Sequence, residues 1–360
     1  MANITAAMVK ELRESTGAGM MECKKALTET DGDMDAAIEV LRKSGAAKAE
    51  KKASRIAAEG ITRVAIEDNA AVVVEVNSET DFVAKNEVFQ NFVQSVADIA
   101  LASGLNGGKD GEDVEGLLAK DGLKDTLVEK TATIGEKLSI RRFERASAET
   151  VVSYIHGGGR IGVLVAADGD SSDAAKEALT NVAMQIAAMN PQYLSSEDIS
   201  EEERAKLHEI TVDSALNDPA TLPMPILNKL IGRAVSEKKW SDEDIAVYEE
   251  KKNNMKFLFN FLSEAAKTAL VALAMEDKEA IVADKIFDGL VKGRISKHEK
   301  EICLLEQAYV KAADGKQSVS QYLASVNKNI VIKKMVRFEV GEGMEKKNED
   351  FAAEVAAQLG

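Results

Sequence analysis

Along this chain the spacing of apolar residues alternates between helical and strand periods, and the switches divide it into blocks. After Thr5, Met8, Val9 and Leu12 recur at helical spacing until Gly17-Ala18-Gly19 interrupts them. Residues 20–27 form a second short helix, and Asp31-Gly32-Asp33 opens a third with Met34, Ile38 and Leu41 on one face. A hairpin follows over residues 62–66 and 71–76, then a helix over 86–102 and a strand over 139–144. The same order then repeats. Residues 151–155 and 161–166 read as a hairpin across Gly157-Gly158-Gly159, residues 173–189 as a helix, and 334–340 as a much later third strand.

Each copy is β-β-α-β, a helix laid on a small, mostly antiparallel sheet. The third strands even share a pattern, Arg141-Arg142-Phe143-Glu144 and Val336-Arg337-Phe338-Glu339. Between the helix and last strand of the second copy lies a helical excursion. Pro219, Pro223 and Pro225 mark a hinge in it, and Ser241-Asp242-Glu243-Asp244 caps one long helix carrying Ile245, Phe257, Leu258, Phe261, Leu262, Leu270 and Leu273. A strand-like pair over 301–305 and 308–311 precedes the return. A helix apolar on so many sides has to pack into a bundle or onto another subunit. The excursion therefore reads as an oligomerisation arm or a passive insertion, and residues 215–282 are expected to be replaceable by a short linker.

The predicted fold is α+β. Residues 1–54 form a three-helix unit and linker, the unit small enough to resemble the ubiquitin-associated fold, and the basic stretch from Arg42 to Arg55 (Arg42, Lys43, Lys48, Lys51, Lys52, Arg55) reads as a solvated helical linker. Residues 55–146 form a first core subdomain, and 147–195 with 284–343 a second. Residues 196–283 are the helical insertion and 344–360 a C-terminal helical module.

The connection Glu79-Thr80-Asp81-Phe82-Val83-Ala84-Lys85-Asn86 is unusual, because two carboxylates, a Thr and a Phe stand where Gly, Ser or Asn would serve. In one reading Thr80 caps a helix, Asp81 faces its dipole and Phe82 points into the core. In the other the segment protrudes, with Phe82 filling a partner's pocket and Asp81 presenting a charge beside it. The residues alone leave both open.

Composition narrows the function. At 45% hydrophobic but 4% aromatic, the cores must be built mainly from Ala, Val, Leu, Ile and Met. A net charge of −15 argues against a nucleic-acid binder, which needs surplus Lys and Arg to neutralise phosphate, and favours protein partners. Cys23 and Cys303 form no CxxC pair, so neither a disulfide framework nor a zinc site is expected. The first residues run directly into helical periodicity without a basic n-region, and no apolar run approaches the roughly 18 residues of a membrane span. The expected compartment is the cytoplasm.

Gly157-Gly158-Gly159-Arg160-Ile161-Gly162 satisfies GxGxxG, but here the glycines join two strands rather than a strand and a helix. They suit a tight turn needing positive φ. His156, His208 and His298 are scattered without metal-ligand spacing, and no nucleophile constellation appears. The expectation is a protein with no cofactor, no metal and no catalytic site of its own.

Several segments carry a family likeness in order along the chain. They are Leu12-Arg13-Glu14-Ser15-Thr16-Gly17-Ala18-Gly19-Met20-Met21-Glu22-Cys23-Lys24-Lys25, the stretch through Thr80-Asp81-Phe82-Val83, Ser153-Tyr154-Ile155-His156-Gly157-Gly158-Gly159, Arg337-Phe338-Glu339-Val340-Gly341 and Asp350-Phe351-Ala352-Ala353. Together they resemble the bacterial translation elongation factor Ts family. The resemblance implies a guanine-nucleotide exchange factor for elongation factor Tu, bound in its GDP and nucleotide-free states, with a homodimer or a heterotetramer as possible assemblies. In that family an Asp-Phe pair enters between two helices of the GTPase and displaces the elements that hold Mg²⁺. Carried over, Phe82 is the wedge, Asp81 its polar companion, and Thr80 and Val83 hold the loop. The resemblance also implies partner contacts at Arg13, Met20, Met21, Lys24 and His156, and at a C-terminal helix over about 349–358, where Gln358 stands in place of the Met of some members.

Exchange needs no catalytic residue, only tighter binding to the nucleotide-free partner, and that coupling is reciprocal. Burying one Phe contributes roughly 1.5–3 kcal/mol, against about 12 kcal/mol for a nanomolar nucleotide, so several contacts have to act together. Two rivals stand beside this reading: an oxidoreductase built on the triple glycine, and a ubiquitin-associated-type adaptor without exchange activity.

Overall fold

The computed structural model describes residues 4–252 and 254–345. The predicted C-terminal helix, with Gln358, lies outside them. The described residues divide into two compact units, one within residues 4–190 and 321–345 and one within Pro191–Ser320.

The first unit opens with α1 (Ala6–Thr16), α2 (Met20–Glu29) and α3 (Met34–Lys52). The Thr5 hydroxyl accepts the Met8 N–H, Gly17 ends α1 at φ 66°, and Asp33 caps α3 by accepting the Ala36 N–H. Val9, Leu12, Cys23, Ala26, Leu27 and Ala37 fill the small core between these helices. The basic segment after Arg42 continues α3 as helix to Lys52, but it is not simply solvated: Gly45 is buried, Arg42 pairs with Asp125 and Lys48 with Glu22.

The core of the unit contains β1 (Glu59–Glu67), β2 (Ala70–Ser78), α4 (Asp81–Ala84), α5 (Glu87–Ser103), β3 (Gly107–Gly108), α6 (Val114–Leu118), α7 (Leu123–Ile134) and β4 (Ser139–Ser147). The second copy supplies β5 (Thr150–His156), β6 (Ile161–Asp168), α8 (Asp173–Met189), α15 (Val319–Val326) and β7 (Val331–Glu339), numbered after the helices of the excursion. One antiparallel sheet has the order β1-β2-β4-β3 and the other β5-β6-β7.

The period-2 pattern of β2 explains how the sheets stack. Val72, Val74 and Val76 face the core shared with Phe89, Phe92, Val93 and Val96 of α5. Ala71 and Val73 face the other way, against Leu164 and Ala166 of β6 and Val336 and Phe338 of β7. A strand covered on both faces is buried from end to end, as β2 is. Gly157, Gly158 and Gly159 have φ of 58°, 68° and 112°, so the turn between β5 and β6 does need residues without a Cβ.

The second unit holds α9 (Glu201–Leu216), α10 (Met224–Ser236), α11 (Asp242–Lys251), α12 (Glu264–Glu276), α13 (Lys278–Val282) and α14 (Lys285–Ile302). Three sequence expectations change here. The long helix predicted after Ser241 is broken: α11 stops at Lys251, a 3-10 segment spans Met255–Asn260, and α12 starts afresh at Glu264. Ser263 caps α12, and the Asp244 carboxylate accepts both the backbone N–H and the hydroxyl of Ser263 at 2.9 Å, which folds the chain back rather than onward. The strand-like pair near 301–311 is also absent as strands. Leu304 and Leu305 instead donate to the carbonyls of Tyr193 and Leu194, at 2.9 and 3.0 Å.

The excursion is also a compact unit with a core of its own, and it spans Pro191–Ser320 where 196–283 was expected. Phe287 and Val291 of α14 share one core with Val212 and Leu216 of α9, Leu227 and Leu230 of α10, and Leu270 and Leu273 of α12. Trp240 is buried there and donates its indole N–H to the Ala266 carbonyl at 3.0 Å.

Candidate functional site

Phe82 sits on α4, a single four-residue turn of helix between β2 and α5, and is 81% exposed. The capping half of the first reading is seen, since the Thr80 hydroxyl accepts the Val83 N–H at 3.3 Å. Its other half is not: Phe82 points to solvent. The reason lies in the neighbours. Ala84 is buried and Val83 packs against the core beneath α5, so the inward positions of this turn are already filled. Asn86 then caps α5 with its side-chain oxygen, accepting the N–H groups of Val88 and Phe89 at 2.8 and 3.4 Å.

Two carboxylates fasten the loop at its root. Glu136, in the turn between α7 and β4, accepts the N–H groups of Glu79 and Thr80, both at 3.0 Å, and the Thr80 hydroxyl at 2.6 Å. Glu79 returns the contact by accepting the Lys137 N–H at 2.6 Å, and it also pairs with Arg55 at 3.2 Å. Sequence reasoning missed Glu136. Its partners stand 56 and 57 positions away, and no local pattern marks it.

Asp81 is exposed and bonded to Lys85 at 2.6 Å. The Lys85 ammonium holds its carboxyl below the usual Asp value, so Asp81 is a carboxylate at neutral pH. The turn thus presents an apolar ring beside a fixed anion.

Arg13, Met20, Met21 and Lys24 come together along one groove between α1 and α2. Met20 is 58% and Met21 75% exposed, a soft, adaptable apolar surface rimmed by two cations. His156 is separate from both, exposed at the end of β5, with its Nδ1 3.0 Å from the Tyr154 hydroxyl. Among the described residues no cluster of His, Cys, Asp and Glu could hold a metal ion, and no helix is long and apolar enough to cross a membrane.

A family model described as Elongation factor TS matches residues 79–342, from Glu79 at the root of the Phe82 loop to Glu342 just beyond β7. The chain is 42% identical over 370 residues to "Elongation factor Ts" of Clostridioides difficile (strain 630), covering all of both proteins. It is 42% identical over 374 residues to the protein of the same name from Lactobacillus delbrueckii subsp. bulgaricus, covering all of this chain and 99% of that one. The counterpart in Clostridium perfringens (strain SM101 / Type A) is 43% identical over 371 residues, with 99% of each covered. This chain belongs to the elongation factor Ts family of bacterial translation factors.

Proposed function

We propose that this chain binds elongation factor Tu and speeds the release of its bound GDP, with Phe82 inserted into the GTPase and Asp81 beside it near the elements that hold Mg²⁺. The observation that carries this reading is the exposure of Phe82 on a braced turn. A large aromatic left in water on a connection is the look of a binding anchor. The groove with Met20, Met21, Arg13 and Lys24 supplies a second contact and His156 a third, as the energetics require. The mechanism is differential binding: contacts made better with the nucleotide-free GTPase weaken GDP by the same factor that GDP weakens them. It needs no catalytic group, and it belongs in the cytoplasm with the translation machinery.

The test is release of labelled GDP from elongation factor Tu with catalytic amounts of this protein. Accelerated release, with no GTPase activity from this chain alone, is expected. Unchanged release at saturating protein would leave the rival reading of a helical adaptor.

A further inference from the structure

We propose that Glu136 is a positioning residue that holds the Phe82 turn in its projecting form; this rests on the exchange reading above. A four-residue helix has no stability of its own, because nucleation costs more than one turn of hydrogen bonds returns. Val83 and Ala84 fill the inward positions and leave Phe82 outside, but they do not fix the entry to the turn. Something outside the turn therefore has to hold it up.

Glu136 does so through three bonds from one carboxylate. One oxygen takes the N–H groups of Glu79 and Thr80, and the other takes the Thr80 hydroxyl proton. The last bond has a consequence for the cap. A hydroxyl has a single proton, so committing it to Glu136 leaves the Thr80 oxygen lone pairs for the Val83 N–H. Glu136 thereby fixes the cap residue as well as the loop entry. The reciprocal bond from Lys137 N–H to Glu79 locks the two chain segments in register. Charge-assisted bonds of this kind are about twice as strong as neutral ones. The arrangement keeps the wedge pre-organised, so that binding the GTPase does not have to order it.

The experiment pairs Glu136→Ala with Phe82→Ala in the full chain. Glu136→Ala is expected to slow stimulated GDP release about tenfold, as a fall in the binding-competent fraction does. Glu136→Gln, which keeps an acceptor for the two amides, should recover part of that loss. In the Phe82→Ala background Glu136→Ala should have a much smaller effect, since only Asp81 is left on the turn to position. Amide hydrogen exchange gives a readout that does not involve the GTPase: residues 79–85 should lose protection in Glu136→Ala while β2 and α5 keep theirs. Additive losses in the double variant, or unchanged protection of residues 79–85, would overturn the assignment. Should the unmodified chain fail to release GDP at all, the exchange reading falls by itself, and the hydrogen-exchange comparison still decides whether Glu136 holds the turn.

Discussion

The carboxylate of Glu75 on β2 accepts the backbone N–H of Gly341 at 2.9 Å, across 266 positions of sequence. Glu75 is fully buried on the face of β2 that meets the second sheet, and it also takes Arg141 at 2.9 Å and Arg142 at 2.6 Å. The Arg142 guanidinium in turn lies 4.3 Å from the centre of the Phe338 ring. Gly341 can come this close because it has φ 72°, and a Cβ there would lie 2.2 Å from the Ala58 carbonyl. The two halves of the internal repeat are thus fastened by a buried ionic knot at the point where the chain leaves β7.

Glu75→Ala should be strongly destabilising, by up to about 3–5 kcal/mol, the scale for removing one partner of a buried pair, with the exposed Glu342 carboxylate, 3.3 Å from Arg142, as the one anion left to it among the described residues. Urea denaturation of the full chain measures it. A loss below about 1 kcal/mol would mean that water or rearranged side chains satisfy Arg142 without Glu75.

The helical unit should be removable as a whole and not in part. Replacing residues 191–320 by a Gly/Ser linker takes out one complete core and is expected to leave the remaining unit folded. Replacing only residues 215–282, the span suggested by the sequence, strands Val212, Phe287 and Val291 without the helices that cover them. That variant should aggregate or lose α9 and α14 to proteolysis, which size-exclusion chromatography and limited digestion would report. A soluble, protease-resistant 215–282 deletion would contradict the single-core description.

Asp244 makes part of the same unit pH-sensitive. Burial works to raise its carboxyl, but hydrogen bonds from Ser241 and Ser263 outweigh it and hold the group below its usual value. A depressed carboxyl binds its proton less well in the folded state, so its contribution is full above the unfolded Asp value near about 3.9. It disappears as pH falls through the lower folded value. The stability difference between the parent and Asp244→Asn, read by denaturation at pH 7 and at acid pH, should shrink on acidification. A constant difference would show that the charge of Asp244 does not matter to the fold.

Where the sequence was legible, a single period or cap decided the structure locally. The hairpins, α5 and α8 were readable because β2 alternates faces and the helices repeat their apolar residues on one side. The excursion misled because Phe257 and Phe261 look like core in a continuous helix, whereas the break before Ser263 turns both outward. The Asp244–Ser263 pair fastens the fold-back, a contact between residues 19 apart that no periodicity reports. The Phe82 turn was half legible. The Thr80 cap could be read from residue types, but the choice between inward and outward depended on Val83 and Ala84 having already filled the core. Glu136 was invisible for the same reason as Gly341, since its partners come from a distant strand end.

The most direct test of the proposed wedge is Phe82→Ala, measured for GDP release from elongation factor Tu and for thermal stability on the same preparation. An exposed anchor contributes to binding and not to folding, so stimulated release should fall roughly thirtyfold or more, the scale of about 2 kcal/mol for a central hot spot, with the melting temperature unchanged. A variant that melts earlier yet releases GDP at the parent rate would contradict the account, because Phe82 would then belong to the core and not to the partner.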